Sequence, residues 1–149
     1  MRIEPHRPIG ADVHDVVLCD LGPADHETLR AALAEHGVLA VADQRLDDDD
    51  FAAFLRGFGE LQFTEGEHAV DGRDDLNVVT NVGRDRVPVS NWHVDTAYVA
   101  SPPAYTALRA VQVPEQGGET LFTNQYRALE TLDPNLRERV TDRVMTHVV

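Results

Sequence analysis

Asn91-Trp92-His93-Val94-Asp95 is the stretch from which the fold and the chemistry of this chain are read. On an extended strand, residues two apart point to the same face. His93 and Asp95 are therefore expected to present an imidazole nitrogen and a carboxylate oxygen side by side, with Trp92 and Val94 packing on the opposite face. Such a pair supplies two of the three ligands of the 2-His-1-carboxylate triad, which holds non-haem Fe(II) and leaves positions open for substrate and O₂. The third ligand, a distal histidine, should follow later, and the chain offers no convincing candidate before Val149.

Composition bounds the alternatives. A chain of 149 residues that is 42% hydrophobic suits one domain with a real core. A net charge of −13 argues against nucleic acid and anionic membranes, which are held by clustered cations. All 13 cations are arginine, a pattern that codon bias in a GC-rich genome explains without invoking function. No apolar run approaches the roughly 18 residues that span a bilayer, and Met1 to His6 lack the apolar core of a signal peptide. The expected location is cytoplasmic. The lone Cys19 fits a reducing compartment and, closing the run Val16-Val17-Leu18, reads as a buried small hydrophobe. Asp47 to Asp50 precede an apolar pattern at helical spacing, so they read as a helix N-cap and first turn. The run lacks the alternating ligands and glycine of a calcium loop.

The pattern predicts a strand over Asp15 to Asp20 and a helix over Pro23 to His36 that Gly37 stops. A buried strand follows over Val38 to Val41, then a second helix over Asp47 to Phe58, ending near Gly59. Leu61 to Asp75 is polar and irregular, Leu76 to Thr80 a strand, and Gly83 to Pro88 a loop. After the His93 strand, Ser101-Pro102-Pro103 breaks the chain because proline fixes φ and removes donors. Tyr105 to Val113 and Glu119 to Thr123 are expected to pair about a turn at Gln116 to Gly118. Asn124 to Leu132 and Asp133 to Arg143 read as helices, the second opened by Asp133-Pro134.

Taken together, Asn91 to Asp95, Ser101-Pro102-Pro103-Ala104 and Val113-Pro114-x-x-Gly117-Gly118-Glu119-Thr120-Leu121-Phe122 resemble the taurine/2,4-D dioxygenase (TauD/TfdA) family of Fe(II)- and 2-oxoglutarate-dependent oxygenases. Gly37-Val38-Leu39 and Phe58-Gly59-Glu60-Leu61 extend the resemblance, which runs on through His147. It implies an α+β fold of the double-stranded β-helix or jelly-roll type. Residues 1–149 would be a single domain holding its first half with flanking helices, incomplete at the C-terminus. It implies an oxidoreductase that couples 2-oxoglutarate and O₂ to hydroxylation or related C–H oxidation of a small molecule, releasing succinate and CO₂. His93 and Asp95 fall on the iron ligands. Thr120 falls on a threonine whose hydroxyl helps hold a 2-oxoglutarate carboxylate, and taken without that motif it is an ordinary strand residue. Asn91 and Trp92 support the metal strand.

The departures are as informative. The family's distal histidine, and the arginine that pairs with the far carboxylate of 2-oxoglutarate, lie more than about a hundred residues beyond His-x-Asp, so the resemblance leaves this chain without them. By alignment His147 falls on a different family histidine. His6, His14, His26, His36 and His68 precede the metal strand and read as solvated or locally hydrogen-bonded. In the substrate pocket, Thr64, Glu67 and Val89 stand where taurine-specific members carry a sulfonate-binding histidine, a tyrosine and an asparagine, and Thr96 follows the metal aspartate. Losing polar partners of a sulfonate argues against taurine. Glu65 and Glu67 favour an amine-bearing substrate, or form a solvated acidic loop. The chain is then the first part of an oxygenase completed by a further segment or a second chain. The alternatives are a non-catalytic binding or regulatory module, or a minimal metalloprotein with a third ligand from water or a neighbouring copy. A homo-oligomer is compatible with each.

Overall fold

The computed structural model describes residues 1–62, 68–80, 82 and 91–146. It divides into two compact units, Met1–Leu46 with Arg109–Met145, and Asp47–Leu108 with Thr146–Val149.

In the first unit β1 (Arg2–Pro5) runs antiparallel to β2 (Ala11–His14), with Arg2 opposite His14 and Pro5 opposite Ala11. The short β3 (Leu39–Ala40) lies parallel on the other side of β2. Alternation along β2 sends Ala11 and Val13 inward. Asp12 and His14 face outward and meet His6 at 3.0 Å and Glu4 at 3.5 Å. Helix α1 (Pro23–His36) begins with proline at its first position, where a missing N–H costs nothing. Its apolar stripe buries His26, Leu29 and Ala32, and the Leu29 side chain contributes on the order of 2 kcal/mol by leaving water. Gly37 ends the helix at φ 77°, its N–H donating to the Leu33 carbonyl at 2.8 Å. Helices α3 (Gln125–Glu130) and α4 (Pro134–Val140) are capped by the Asn124 and Asp133 carboxamide and carboxylate.

In the second unit the acidic run opens α2 (Asp48–Arg56) with a reciprocal cap. Asp47 Oδ1 accepts from the Asp50 N–H at 2.9 Å, and the Asp47 N–H donates back to Asp50 at 3.4 Å. Facing it in sequence is a narrow hairpin, in which the Val70 and Val78 amides donate to Leu76 and His68 at 2.9 and 2.8 Å. Arg73 joins the two. Its guanidinium donates two bonds to Asp75, at 2.8 and 3.0 Å, and a further short bond to Asp49. Arg56 reaches the same Asp75 carboxylate at 2.6 Å. Ala52 and Leu76 are the buried side chains among the described residues of this unit. Phe58 stacks edge-on against Phe54 and Tyr105.

Both long helices and the two later ones stand where the sequence puts them, and the strands depart from it. Asp15 takes a left-handed φ of 55° and ends β2, so Leu18–Asp20 coil into a 3-10 turn in place of the expected strand. The Gln44 side chain holds that turn, accepting from the Leu18 N–H and donating to the Val16 carbonyl, each at 3.0 Å. Leu18 takes the buried position there, and Cys19 is exposed rather than buried. The strand at 38–41 shrinks to Leu39–Ala40 and is only partly covered. The segment 76–80 makes a single antiparallel bridge, Asn77 with Ala69. Residues 91–95, 105–113 and 119–123 form no ladder among the described residues, although Gly117 and Gly118 do turn the chain at φ 76° and 81°. The loop expected at 83–88 lies outside the described residues.

Two tests follow from these contacts. A Cβ on Gly37 would meet the Ile9 side chain at 3.3 Å on a backbone that L-residues avoid, so Gly37→Ala is expected to cost about 1–2 kcal/mol in denaturant unfolding. The bonds from Arg73, then the charges of Arg73 and Arg56, hold the Asp75 carboxyl below its ordinary 3.8. A depressed carboxyl stabilises fully above the unfolded value and loses that contribution as pH falls through the folded one. Protection of the Val70 and Val78 amides from hydrogen exchange is thus expected to hold from neutrality to about pH 5 and to fall below 3.8. In Arg73→Met it should already be lower at neutral pH, with the acid dependence reduced to what Arg56 still contributes.

Candidate metal centre

His93 sits on irregular chain that runs directly into a turn at Asp95–Tyr98, which Asp95 opens. Their side chains meet, with His93 Nε2 2.9 Å from Asp95 Oδ1. The two side chains converge as the sequence leads one to expect, with no ladder beneath them among the described residues. The other ring nitrogen, Nδ1, lies 2.7 Å from the Asn91 carbonyl and donates to it. Both hydrogen bonds favour the charged ring, the Asn91 carbonyl first and the Asp95 carboxylate second, and they hold the His93 pKa above its ordinary value.

The side chains of the pair are 66% and 49% exposed, and an ion pair so open to water contributes about 0–1 kcal/mol. Stability does not explain it. The donor set does fit a divalent metal. Two ligands each about 2.1 Å from one ion, at right angles to one another, stand about 3.0 Å apart, close to the 2.9 Å observed. A metal-bound histidine characteristically donates its second N–H to a carbonyl or carboxylate, which fixes the ring, and Asn91 supplies that partner. A neutral imidazole with a carboxylate suits Fe(II) and leaves the remaining positions open. Among the described residues no third His, Cys, Asp or Glu joins the pair.

Thr96 is the unusual neighbour. It occupies the third position of a turn closed by the Ala97 N–H donating to the Val94 carbonyl at 3.3 Å, and its φ is 50°. That position favours glycine or asparagine, and an L-residue there costs about 1–2 kcal/mol, more when β-branched. Its hydroxyl is shielded from solvent without a hydrogen-bond partner among the described residues. Thr120 belongs to the other compact unit, on exposed, irregular chain. Thr64, Glu67 and Val89, like Glu65 and His147, lie outside the described residues. The sequence carried no sign of the Asn91 carbonyl, since every residue has one, nor of the left-handed Thr96.

Comparison with known proteins gives the family. The sequence pattern of the "Taurine catabolism dioxygenase TauD, TfdA family" matches residues 2–148. An alpha-ketoglutarate-dependent sulfonate dioxygenase of Saccharomyces cerevisiae is 28% identical, with 93% of this chain and 37% of the relative covered. An alpha-ketoglutarate-dependent sulfate ester dioxygenase of Pseudomonas putida is 33% identical, over 87% of this chain and 43% of the relative. A crystal structure from Burkholderia xenovorans, of a candidate alpha-ketoglutarate-dependent taurine dioxygenase, superimposes with a TM-score of 0.77 at 29% identity. It covers 93% of this chain and 52% of that one. The chain therefore spans about half the length, or less, of the relatives it matches.

Because the Asn91 carbonyl is the larger cause of the raised His93 pKa, Asp95→Asn is expected to bring it only part of the way back to normal. A proton-NMR titration of the His93 ring checks this; a full return would assign the shift to Asp95 alone.

Proposed function

The chain belongs to the TauD, TfdA family of dioxygenases, and from that premise we propose that it supplies the His-x-Asp part of an Fe(II)- and 2-oxoglutarate-dependent oxygenase site. The observation that carries the proposal is the apposition of His93 Nε2 and Asp95 Oδ1 at 2.9 Å, with Nδ1 tied to the Asn91 carbonyl. His93 and Asp95 would hold the iron. Bound there, Fe(II) supplies the redox chemistry by which 2-oxoglutarate, O₂ and a C–H bond become succinate, CO₂ and a hydroxylated product. The residues of this chain do the rest of the local work. Asn91 would keep the imidazole oriented with Nε2 available as a ligand, and Nε2 would hold the ion in its deprotonated form. Thr120 takes part in holding a carboxylate of 2-oxoglutarate, as its place in the Gly-Gly-x-Thr motif suggests. The fold in which these act is a double-stranded β-helix, and the third protein ligand comes from outside the described residues.

The substrate is a small molecule. Relatives bear the names of sulfonate and sulfate ester dioxygenases, but Thr64, Glu67 and Val89 replace three polar partners of the taurine sulfonate, and the excess of acidic side chains opposes anions. Taurine is therefore not the expected substrate; an amine-bearing or neutral compound suits the acidic loop better.

With Fe(II), ascorbate and 2-oxoglutarate, the 149-residue chain is expected to form little succinate, while binding Mn(II) weakly at His93 and Asp95. The Mn(II) binding, followed by the electron paramagnetic resonance of the free ion, should fall about tenfold or more in His93→Ala and in Asp95→Ala. Unchanged binding in both would refute the metal-holding role. Succinate formed at ordinary enzyme rates and lost in His147→Ala would identify His147 as the third ligand.

A further inference from the structure

Among the described residues the His93–Asp95 pair has no strand ladder beneath it, so some other constraint must keep two exposed side chains together. On a free extended segment both would sample several rotamers, and ordering them costs entropy that an exposed pair does not repay. The turn that follows supplies a constraint. It begins at Val94, has Asp95 and Thr96 at its centre and closes at Ala97, and a second turn overlaps it, the Val99 N–H donating to the Thr96 carbonyl at 3.1 Å. Of the two central residues only Thr96 has a positive φ, the pattern of a type II turn. Asp95 thus stands at the corner, its carboxylate turned back toward His93. Glycine would make this turn without strain, yet a β-branched residue occupies it, its hydroxyl out of solvent. Strain retained beside a candidate ligand points to a role in the site.

We propose that Thr96 is a positioning residue: its left-handed backbone closes the turn that holds the Asp95 carboxylate against His93 Nε2, so that the two donors are pre-organised for a divalent cation. The inference rests on the metal-holding role proposed above, but the contact itself exists without metal and can be judged separately. Glycine at this position would leave the segment free to open to many conformations, whereas threonine is held at φ 50° with its hydroxyl out of solvent.

The test uses near-isosteric replacements that differ in their tolerance of positive φ. Asparagine accepts it and valine resists it. In the 149-residue chain, two quantities are read: the nuclear Overhauser contact between the His93 ring and the Asp95 β-protons without metal, and the affinity for Mn(II). Methyl signals of Leu29 and Leu76, one in each unit, report that the fold is kept. Thr96→Asn is expected to keep the contact and to bind Mn(II) within about threefold of the parent chain, or more tightly. Thr96→Val, as β-branched as the parent residue, should fall below Thr96→Asn on both readings. Thr96→Pro, which forces φ to about −65°, should abolish the contact. The proposal is overturned if Thr96→Val equals or exceeds Thr96→Asn on both readings, or if the contact survives in a folded Thr96→Pro. Should His93→Ala leave Mn(II) binding unchanged, the metal-holding role falls, while the ring-to-carboxylate contact still decides the role of Thr96.

Discussion

Backbone N–H and C=O groups must be paired or left in water, and this chain meets that demand differently along its length. Up to residue 76 the groups pair locally: in α1 and α2, in the three-stranded sheet, in the hairpin from His68 to Val78, and through Gln44, whose one side chain serves the turn at Val16–Leu18. All the buried side chains among the described residues lie in this part, from Ala11 to Leu76. Between 91 and 123 the described backbone forms no ladder, and Trp92, Val111, Val113 and Leu121 stay exposed. Beyond them, among the described residues, the helices are α3 and α4, of 6 and 7 residues, and neither buries a side chain. The candidate site lies in this second part. Its geometry is set by what a few consecutive residues can do for one another.

That division explains which elements were legible in the sequence. A helix is closed by its own residues, so its signals are local. Pro23 and Gly37 bound α1, the aspartate run starts α2, and Asn124 and Asp133 cap α3 and α4, each at or within a residue or two of its expected limit. A strand pattern names only half of a contact. Tyr105 to Val113 alternates as a strand would, but alternation does not supply the partner whose carbonyls it needs. Asp15 shows the opposite failure, because nothing in the run Val16 to Cys19 announces that a left-handed aspartate precedes it and redirects the chain.

At the site the legible part was the meeting of two side chains. Imidazole and carboxylate two residues apart are a ligand pair wherever backbone extension brings them to one side, and the structure does bring them within 2.9 Å. The parts that make the pair specific were hidden, since the Asn91 carbonyl and the positive φ of Thr96 are backbone properties. A His-x-Asp on an open surface is common and means little. One whose ring is anchored at the second nitrogen and whose carboxylate sits at the corner of a strained turn has lost the freedom that would make it incidental.

Charge adds a further constraint on how such a pair works in so acidic a chain. Aspartates and glutamates outnumber arginines by 26 to 13, and in the second unit Arg56 and Arg73 are already committed to Asp75 and Asp49. No arginine appears in the described bonds of His93 or Asp95. With His93 protonated, the pair carries no net charge and has nothing to offer a dicarboxylate. Were a divalent cation to take the place of the Nε2 proton, the same pair would carry one unit of positive charge. Proton and cation would thus compete for one nitrogen. The Asn91 carbonyl is common to both, because it keeps the ring in place whether Nε2 faces a proton or a metal.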